Sequence, residues 1–405
     1  MILDFPGGAR PTERTRFGKQ NTLTVDSCSA VCLRADDDAE AIARVGATVL
    51  RGGLLGRNGE TPVYASIAGS FRGILEIEGN RYFVVMNGGE TGEERIHSPE
   101  TRAITQMTAD DVIESAKKFA IVDSRSGVPL WKMLESAKKG CRRLVVDCTE
   151  SDPLSAINYR LCIERTRSLV GGAKVLLHAT GALKCVFAAE HYRHAAFAAI
   201  SEYADDEKIF ALAQLDEKYP YGDNALMYAL YVQELKKGET ALDRGVFIVA
   251  PETAIALYEA MLYGMPQLDR FITVCGDGVR KGGNMRVPRG ITLHDLIGLC
   301  GGLEDKHFLI ENSLLSGSPI SGALSDGTRA LVAAKPLKRL RVPCISCGRC
   351  AEVCPVRLLP SEILALDGRD ILKHCISCGA CEYICPSGIP LLGLIKKAAS
   401  RKEEA

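Results

Sequence analysis

Aromatic residues make up only 6% of this 405-residue chain, with a single tryptophan, Trp131, so a row of stacking platforms for single-stranded nucleic acid is excluded. Charge of one sign is equally absent. Lys and Arg number 50, Asp and Glu number 50, and no net basic field is available to hold a polyanion. No apolar run reaches the 18 residues of a membrane span. The opening residues, MILDFPGGARPTERTRFGK, hold no apolar core of an export signal, so a reducing, cytoplasmic compartment is expected.

What remains is an ordinary globular composition, 46% apolar and 25% charged, long enough for two to four domains. Residues 45–90 alternate short apolar runs with turns at Gly52-Gly53, Gly56, Gly59, Gly69, Gly73 and Gly79, which suggests a small barrel or sandwich. The pattern resembles the lipoyl/biotinyl barrel-sandwich fold, but no lysine occurs between Lys19 and Lys117, which excludes a swinging arm. Residues 108–250 alternate helix and strand patterns of an α/β layer. A helix start is expected at Thr108, and a strand over Arg143–Val146 ending at Asp147. A helix over Ala156–Val170 is expected to stop at Gly171-Gly172, before a strand over Lys174–Leu177. A helix from about Ala189 would bring Glu190, His191 and His194 onto one face, where a solvated surface outweighs a metal site. The expected boundaries are 1–105 for a barrel-sandwich domain, 106–250 for the α/β domain, 251–335 for a small α+β module and 336–399 for a cysteine-rich end. Residues 326–341 read as a linker, and its basic run from Lys335 to Arg341 as a solvated segment able to help dock an acidic, ferredoxin-like partner.

Sixteen cysteines are the unusual feature, and eight fall within the 42 residues from Cys344 to Cys385. They form two copies of one run. Cys344, Cys347, Cys350 and Cys354 precede Pro355, and Cys375, Cys378, Cys381 and Cys385 precede Pro386. This is the spacing that holds two [4Fe-4S] cubes, with the fourth cysteine of each run reaching the other cube. One set is therefore Cys344, Cys347, Cys350 and Cys385, and the other Cys375, Cys378, Cys381 and Cys354, each fourth cysteine being expected at the start of the next helix. Structural zinc uses two short hooks per ion rather than two identical runs of four ending in Cys-Pro. The remaining eight cysteines lack ligand spacing and read as buried small apolar residues.

In order along the chain, Phe5-Pro6-Gly7-Gly8, Pro62–Gly69, Lys218–Asp223, Thr273–Asp277, Val287–Gly290, Gly317–Gly322 and the second cysteine run through Pro390 resemble segments of the RnfC family of the Rnf electron-transport complex. That family is in turn similar to the NADH-binding flavoprotein subunit of complex I. The resemblance implies a β-grasp-like module over 251–335 and an iron–sulfur electron-transfer subunit. It further implies partners among other redox subunits, some embedded in the membrane, a ferredoxin or flavoprotein as donor or acceptor, no nucleic acid, and a peripheral place on the cytoplasmic face.

The same resemblance places FMN and NADH at loops that have changed here. A glycine-rich turn that would cradle flavin phosphate corresponds to Asp123-Ser124-Arg125-Ser126-Gly127-Val128-Pro129, with one glycine left. The next loop reads Asp147-Cys148-Thr149-Glu150-Ser151-Asp152, a later strand end reads Val249-Ala250-Pro251, and Gly222-Asp223-Asn224 follows Lys218-Tyr219-Pro220. Loss of a tight FMN/NADH site is expected. Glu150 and Lys218 are the residues that keep open the alternative, an FMN-dependent subunit that oxidises NADH itself.

Overall fold

The fold is seen in a computed structural model that describes all residues except 13, 96, 139, 205, 207, 237, 336–341, 365–373 and 404–405, with no side chain described from 400 on. The basic run after Lys335 therefore lies almost wholly outside the described residues.

Four parallel strands form the central sheet, in the order Phe210–Leu215, Lys184–Glu190, Arg143–Asp147, Val246–Val249. Their near-continuous apolar sequences suit a sheet covered on both faces. Leu144, Val146, Phe187 and Val249 join one core with the helices Ala109–Lys118, Leu130–Ala137, Thr166–Thr180 and Pro251–Tyr263. Val145, Ala188, Leu215 and Ile248 pack on the helix Asp223–Tyr231. Thr108 caps the helix Ala109–Lys118 through its side chain, as the sequence leads one to expect.

Gly171-Gly172 does not end a helix. Ile157–Glu164 breaks at Arg165, and Thr166–Thr180 then runs straight through the pair and across the segment expected as a strand. A Cβ on Gly172 would overlap the Ala254 carbonyl oxygen. The glycines are thus the crossing point at which Thr166–Thr180 meets Pro251–Tyr263. That contact places Pro251–Tyr263 in the α/β core rather than with the module expected from residue 251. Glu190 ends a strand, and His194 opens the helix His194–Tyr203, so Glu190, His191 and His194 do not share a helical face.

Two antiparallel sheets cover residues 30–86. One runs Ala30–Arg34, Asn80–Met86, Gly69–Ile77, Thr48–Val49, and the other Ala39–Ala41, Leu54–Asn58, Thr61–Tyr64. A further mixed sheet runs Leu23–Thr24, Gly283–Pro288, Asp269–Gly276, Ala330–Ala334, Phe308–Glu311. Leu33, Leu55, Phe71 and Phe83 share one core with Ile272, Val287, Leu296 and Leu331, so these sheets are fused through their interiors. Residues 1–25 leave the N-terminal sheets. Leu3 bridges to Leu215, Ala9 to Tyr219, and Leu23–Thr24 form the edge of the mixed sheet. All eight cysteines outside the two repeats are buried.

Candidate functional site

Ligands of open α/β sheets bind beyond the carboxyl ends of the strands. Here those ends deliver Asp147, Glu190, Asp216 and Ala250 to one crevice, and the loop from Asp123 covers it. Asp123 is 1% exposed. Its Oδ1 accepts from the Thr253 hydroxyl at 2.7 Å and the Ala250 N–H at 3.2 Å, and its Oδ2 from the Ser126 N–H at 2.9 Å and the Ser126 hydroxyl at 2.8 Å. A carboxylate therefore sits at the start of the helix Pro251–Tyr263, where the backbone dipole favours negative charge. Next to it, Arg125 Nε donates to Asp147 Oδ2 at 2.8 Å, and its Nη1 pairs with Asp223. Burial alone would lower the guanidinium's pKa, but Asp223 and Asp147 outweigh it and hold the charge. Asp147 also accepts from the Thr149 hydroxyl at 2.6 Å.

Glu150 accepts from Ser155 Oγ at 2.8 Å and from the Tyr159 N–H at 2.9 Å, which turns it into its own loop. Lys218 Nζ donates to Asp4 at 2.7 Å and to the Phe5 carbonyl at 3.2 Å. It anchors the N-terminal arm rather than pointing into the crevice. Glu190 is pushed up to about 7 by burial and by the neighbouring Glu150 charge, against the pull of Arg193 at 3.7 Å. Arg329 faces the same crevice with Nε and Nη1 unpartnered, and burial lowers its pKa. No motif in the sequence marks Glu190 or Arg329. They are found only because the sheet ends and the mixed sheet meet.

The C-terminal repeats fold into two copies of one loop. Ser346 and Ser377 take φ of 53° and 55°, and Gly348 and Gly379 take φ of 75° and 78°. The Ser346 N–H donates to Cys344 Sγ at 3.4 Å, and the Ser377 N–H to Cys375 Sγ at 3.3 Å. The short helices Arg349–Glu352 and Ala380–Ile384 follow and pack on each other. Each fourth cysteine stands at the far end of its own short helix, not at the start of the next, because Pro355 and Pro386 follow it.

Cys354 feels the charges of Cys375 and Cys350, Cys378 feels Cys354 and Cys375, and Cys381 feels Cys378, Cys375 and Cys354. These four thiols are thus neighbours across the two runs. Burial pushes Cys378 up to about 11 and Cys381 up to about 12, so thiolates there call for compensating positive charge. Cys350 and Cys385 share an apolar cluster with Ile389 and Leu391, while Cys344 and Cys347 are exposed. Among the described residues, no three His, Cys, Asp or Glu side chains close on one point as ligands of a single ion do. A cube takes one cysteine per iron and asks for a wider set than zinc, whose sulfurs lie about 2.3 Å from one centre.

The repeats are bolted to the body. The Gly8 N–H donates to the Val353 carbonyl at 2.9 Å, and a Cβ on Gly7 would lie 2.6 Å from the Cys354 carbonyl oxygen. Tyr219 OH lies 2.9 Å from the Cys378 carbonyl and 2.7 Å from Ser316 Oγ. A cavity of about 730 Å³, lined by Tyr219, Asp223, Asn224, Cys375 and Cys378, lies between the crevice and the second repeat.

Residues 123–259 match the Nuo51 FMN-binding domain family, 271–309 the SLBB domain family and 337–386 the 4Fe-4S dicluster domain family. The chain is 30% identical over 238 residues to the RnfC-type component of the ion-translocating oxidoreductase complex of Rhodobacter capsulatus. That match covers 56% of this chain and 46% of the relative, so it spans about half of the longer protein. The chain is 25% identical over 398 residues to the corresponding component of the Na(+)-translocating ferredoxin:NAD(+) oxidoreductase complex of Acetobacterium woodii, covering 91% and 88%. This chain resembles the RnfC components of such complexes. A chain of an NAD+-reducing [NiFe]-hydrogenase, at 15% identity and a TM-score of 0.53, shares the fold over 76% of this chain and 64% of its own. The molecule is accordingly a mixed α/β protein with a Nuo51-type domain and a C-terminal 4Fe-4S dicluster domain, and the clustered cysteines suit [4Fe-4S] clusters. Among the described residues no helix is long and apolar enough to cross a membrane.

The crevice does not fit the phosphate of FMN. The Ser126 and Ala250 N–H groups and the Thr253 hydroxyl already donate to Asp123, and Arg125 spans the space between Asp147 and Asp223. An incoming phosphate would have to displace a buried carboxylate and then sit beside it.

Proposed function

We propose that this chain is an iron–sulfur electron-transfer subunit of an Rnf-type complex or a soluble relative of one. Cys344, Cys347, Cys350 and Cys385 hold one [4Fe-4S] cluster, and Cys354, Cys375, Cys378 and Cys381 the other. When bound, the clusters supply two one-electron centres. The protein's own work is to hold the two sets in fixed relation to the body. The second set lies against Tyr219 and the N-terminal arm, and the first set opens to solvent through Cys344 and Cys347. In this reading residues 30–86 are a barrel-sandwich hybrid, the mixed sheet is a β-grasp-like module, and the cysteine-rich domain spans 336–399. Partners are other redox subunits, including membrane-embedded ones, with a ferredoxin or flavoprotein as donor or acceptor, and the place of work is the cytoplasmic face. The crevice holds no tight FMN.

The observation that supports this most is the pairing of a complete donor set with a self-satisfied crevice. Anaerobic reduction followed by EPR tests it. Two interacting [4Fe-4S] signals are expected, and a single signal, or zinc in place of iron, would contradict it.

A further inference from the structure

The largest cavity, about 1240 Å³, is not the crevice and shares no residue with the Asp123–Arg125–Asp147 network. It opens between the N-terminal arm and the mixed sheet. Five cations line it: Arg14 and Arg16 from the arm, Arg280 and Lys306 from two turns, and Lys335 after the strand Ala330–Ala334. Asp277 is the only acidic residue in its lining, and it lies 3.3 Å from His307 Nε2. In a chain with 50 cations and 50 anions, such segregation sets up a local positive potential.

Two of the cations have partners, Arg14 with Glu217 and Arg280 with Glu304. Among the described residues, Arg16, Lys306 and Lys335 have no carboxylate within ion-pair reach. Segments far apart in sequence thus bring unpaired cations to the rim of one cavity. Its floor is apolar, with Phe17, Cys275 and Val332 all buried. A charged rim over an apolar floor is the usual construction of a small-molecule site.

We propose that this cavity binds a small organic polyanion, one carrying phosphate or carboxylate groups on an apolar body of about nucleotide size. Arg16, Lys306 and Lys335 contact the anionic groups. Leu314 also lines the cavity, and the carbonyl oxygen of its neighbour Leu315 is close enough to Gly379 to exclude a Cβ there. The site therefore adjoins the loop against which the second cysteine repeat is packed.

The test uses the holoprotein, purified anaerobically, with ADP and inorganic pyrophosphate as probes in titration calorimetry. Saturable ADP binding that weakens with added salt is expected. The exposed pair Arg16→Glu and Lys306→Glu should weaken it at least about ten-fold, while Arg16→Lys retains most of it. The EPR spectrum of the double variant should be unchanged, which separates lost binding from lost folding. Pyrophosphate binding as tightly as ADP would remove the role of the apolar floor and overturn the organic part of the proposal. Absence of binding by both probes, binding indifferent to the double variant, or association only with an acidic protein would overturn it entirely.

Discussion

The second cysteine repeat and the crevice at the strand ends meet at the same short loop, Ser313–Ser316. The crevice reaches it through Asp152, which accepts from the Leu314 N–H at 2.8 Å, and the repeat through Gly379 and Tyr219. Their polar groups are disposed in opposite ways. In the repeats the thiols bond to little besides neighbouring N–H groups, an arrangement left open to an added metal centre. In the crevice the groups that would greet a ligand have closed on each other, Asp123 on the helix start and Arg125 on Asp147 and Asp223. A site is retained where its donors stay uncommitted and is lost where the chain supplies its own counter-groups.

The comparison breaks most visibly at Cys354. Cys354→Ala should remove about half of the iron, and the EPR signal lost should be the one that Cys378→Ala removes. If it matches the signal lost in Cys347→Ala instead, the crossed pairing is wrong. Next in size is the crevice. Asp123→Ala leaves the donors from Ser126, Ala250 and Thr253 without an acceptor, at about 1–3 kcal/mol each. Urea unfolding should show a loss of several kcal/mol with iron content unchanged, and a neutral result would mean that Asp123 does not hold the crevice shut.

Glu190 sharpens the same point through pH. Its folded pKa of about 7 stands above the ordinary 4.5, so the folded state binds the extra proton. Stability should be highest near pH 4.5 as far as this group is concerned, fall by up to about 3 kcal/mol as pH rises to 7, and level off above. Glu190→Gln should flatten that slope in urea midpoints measured across the range, whereas an unchanged slope would assign it to other groups. The smallest effect is at the junction. Tyr219→Phe removes the hydroxyl shared by Ser316 and Cys378, and should cost about 1 kcal/mol in the same unfolding measurement without altering iron content.

Sequence makes the two regions legible to different degrees. Ligand spacing is local, so the cysteine runs can be read residue by residue, down to the crossing that brings Cys354 beside Cys375, Cys378 and Cys381. The strands around Arg143–Asp147 and Val246–Val249 are equally plain from their apolar runs. Gly171-Gly172 misleads because a glycine pair reads as a stop, while its purpose depends on Ala254, more than 80 residues away. Asp123 reads as hostile to phosphate, but its four hydrogen bonds involve Ala250 and Thr253, whose proximity only the fold creates. Lys218 reads as a cofactor residue in its motif, yet it is held by Asp4 at the other end of the domain. The glycines of Phe5-Pro6-Gly7-Gly8 are a signal of close approach, and the surface they approach is Val353 and Cys354.

The most direct test of the account is a joint count of flavin and iron on the anaerobically purified chain, followed by addition of NADH. About eight irons per chain, no stoichiometric flavin in the acid extract and clusters that stay oxidised with NADH are the predicted result. Near one FMN per chain, with NADH bleaching the clusters, would contradict it.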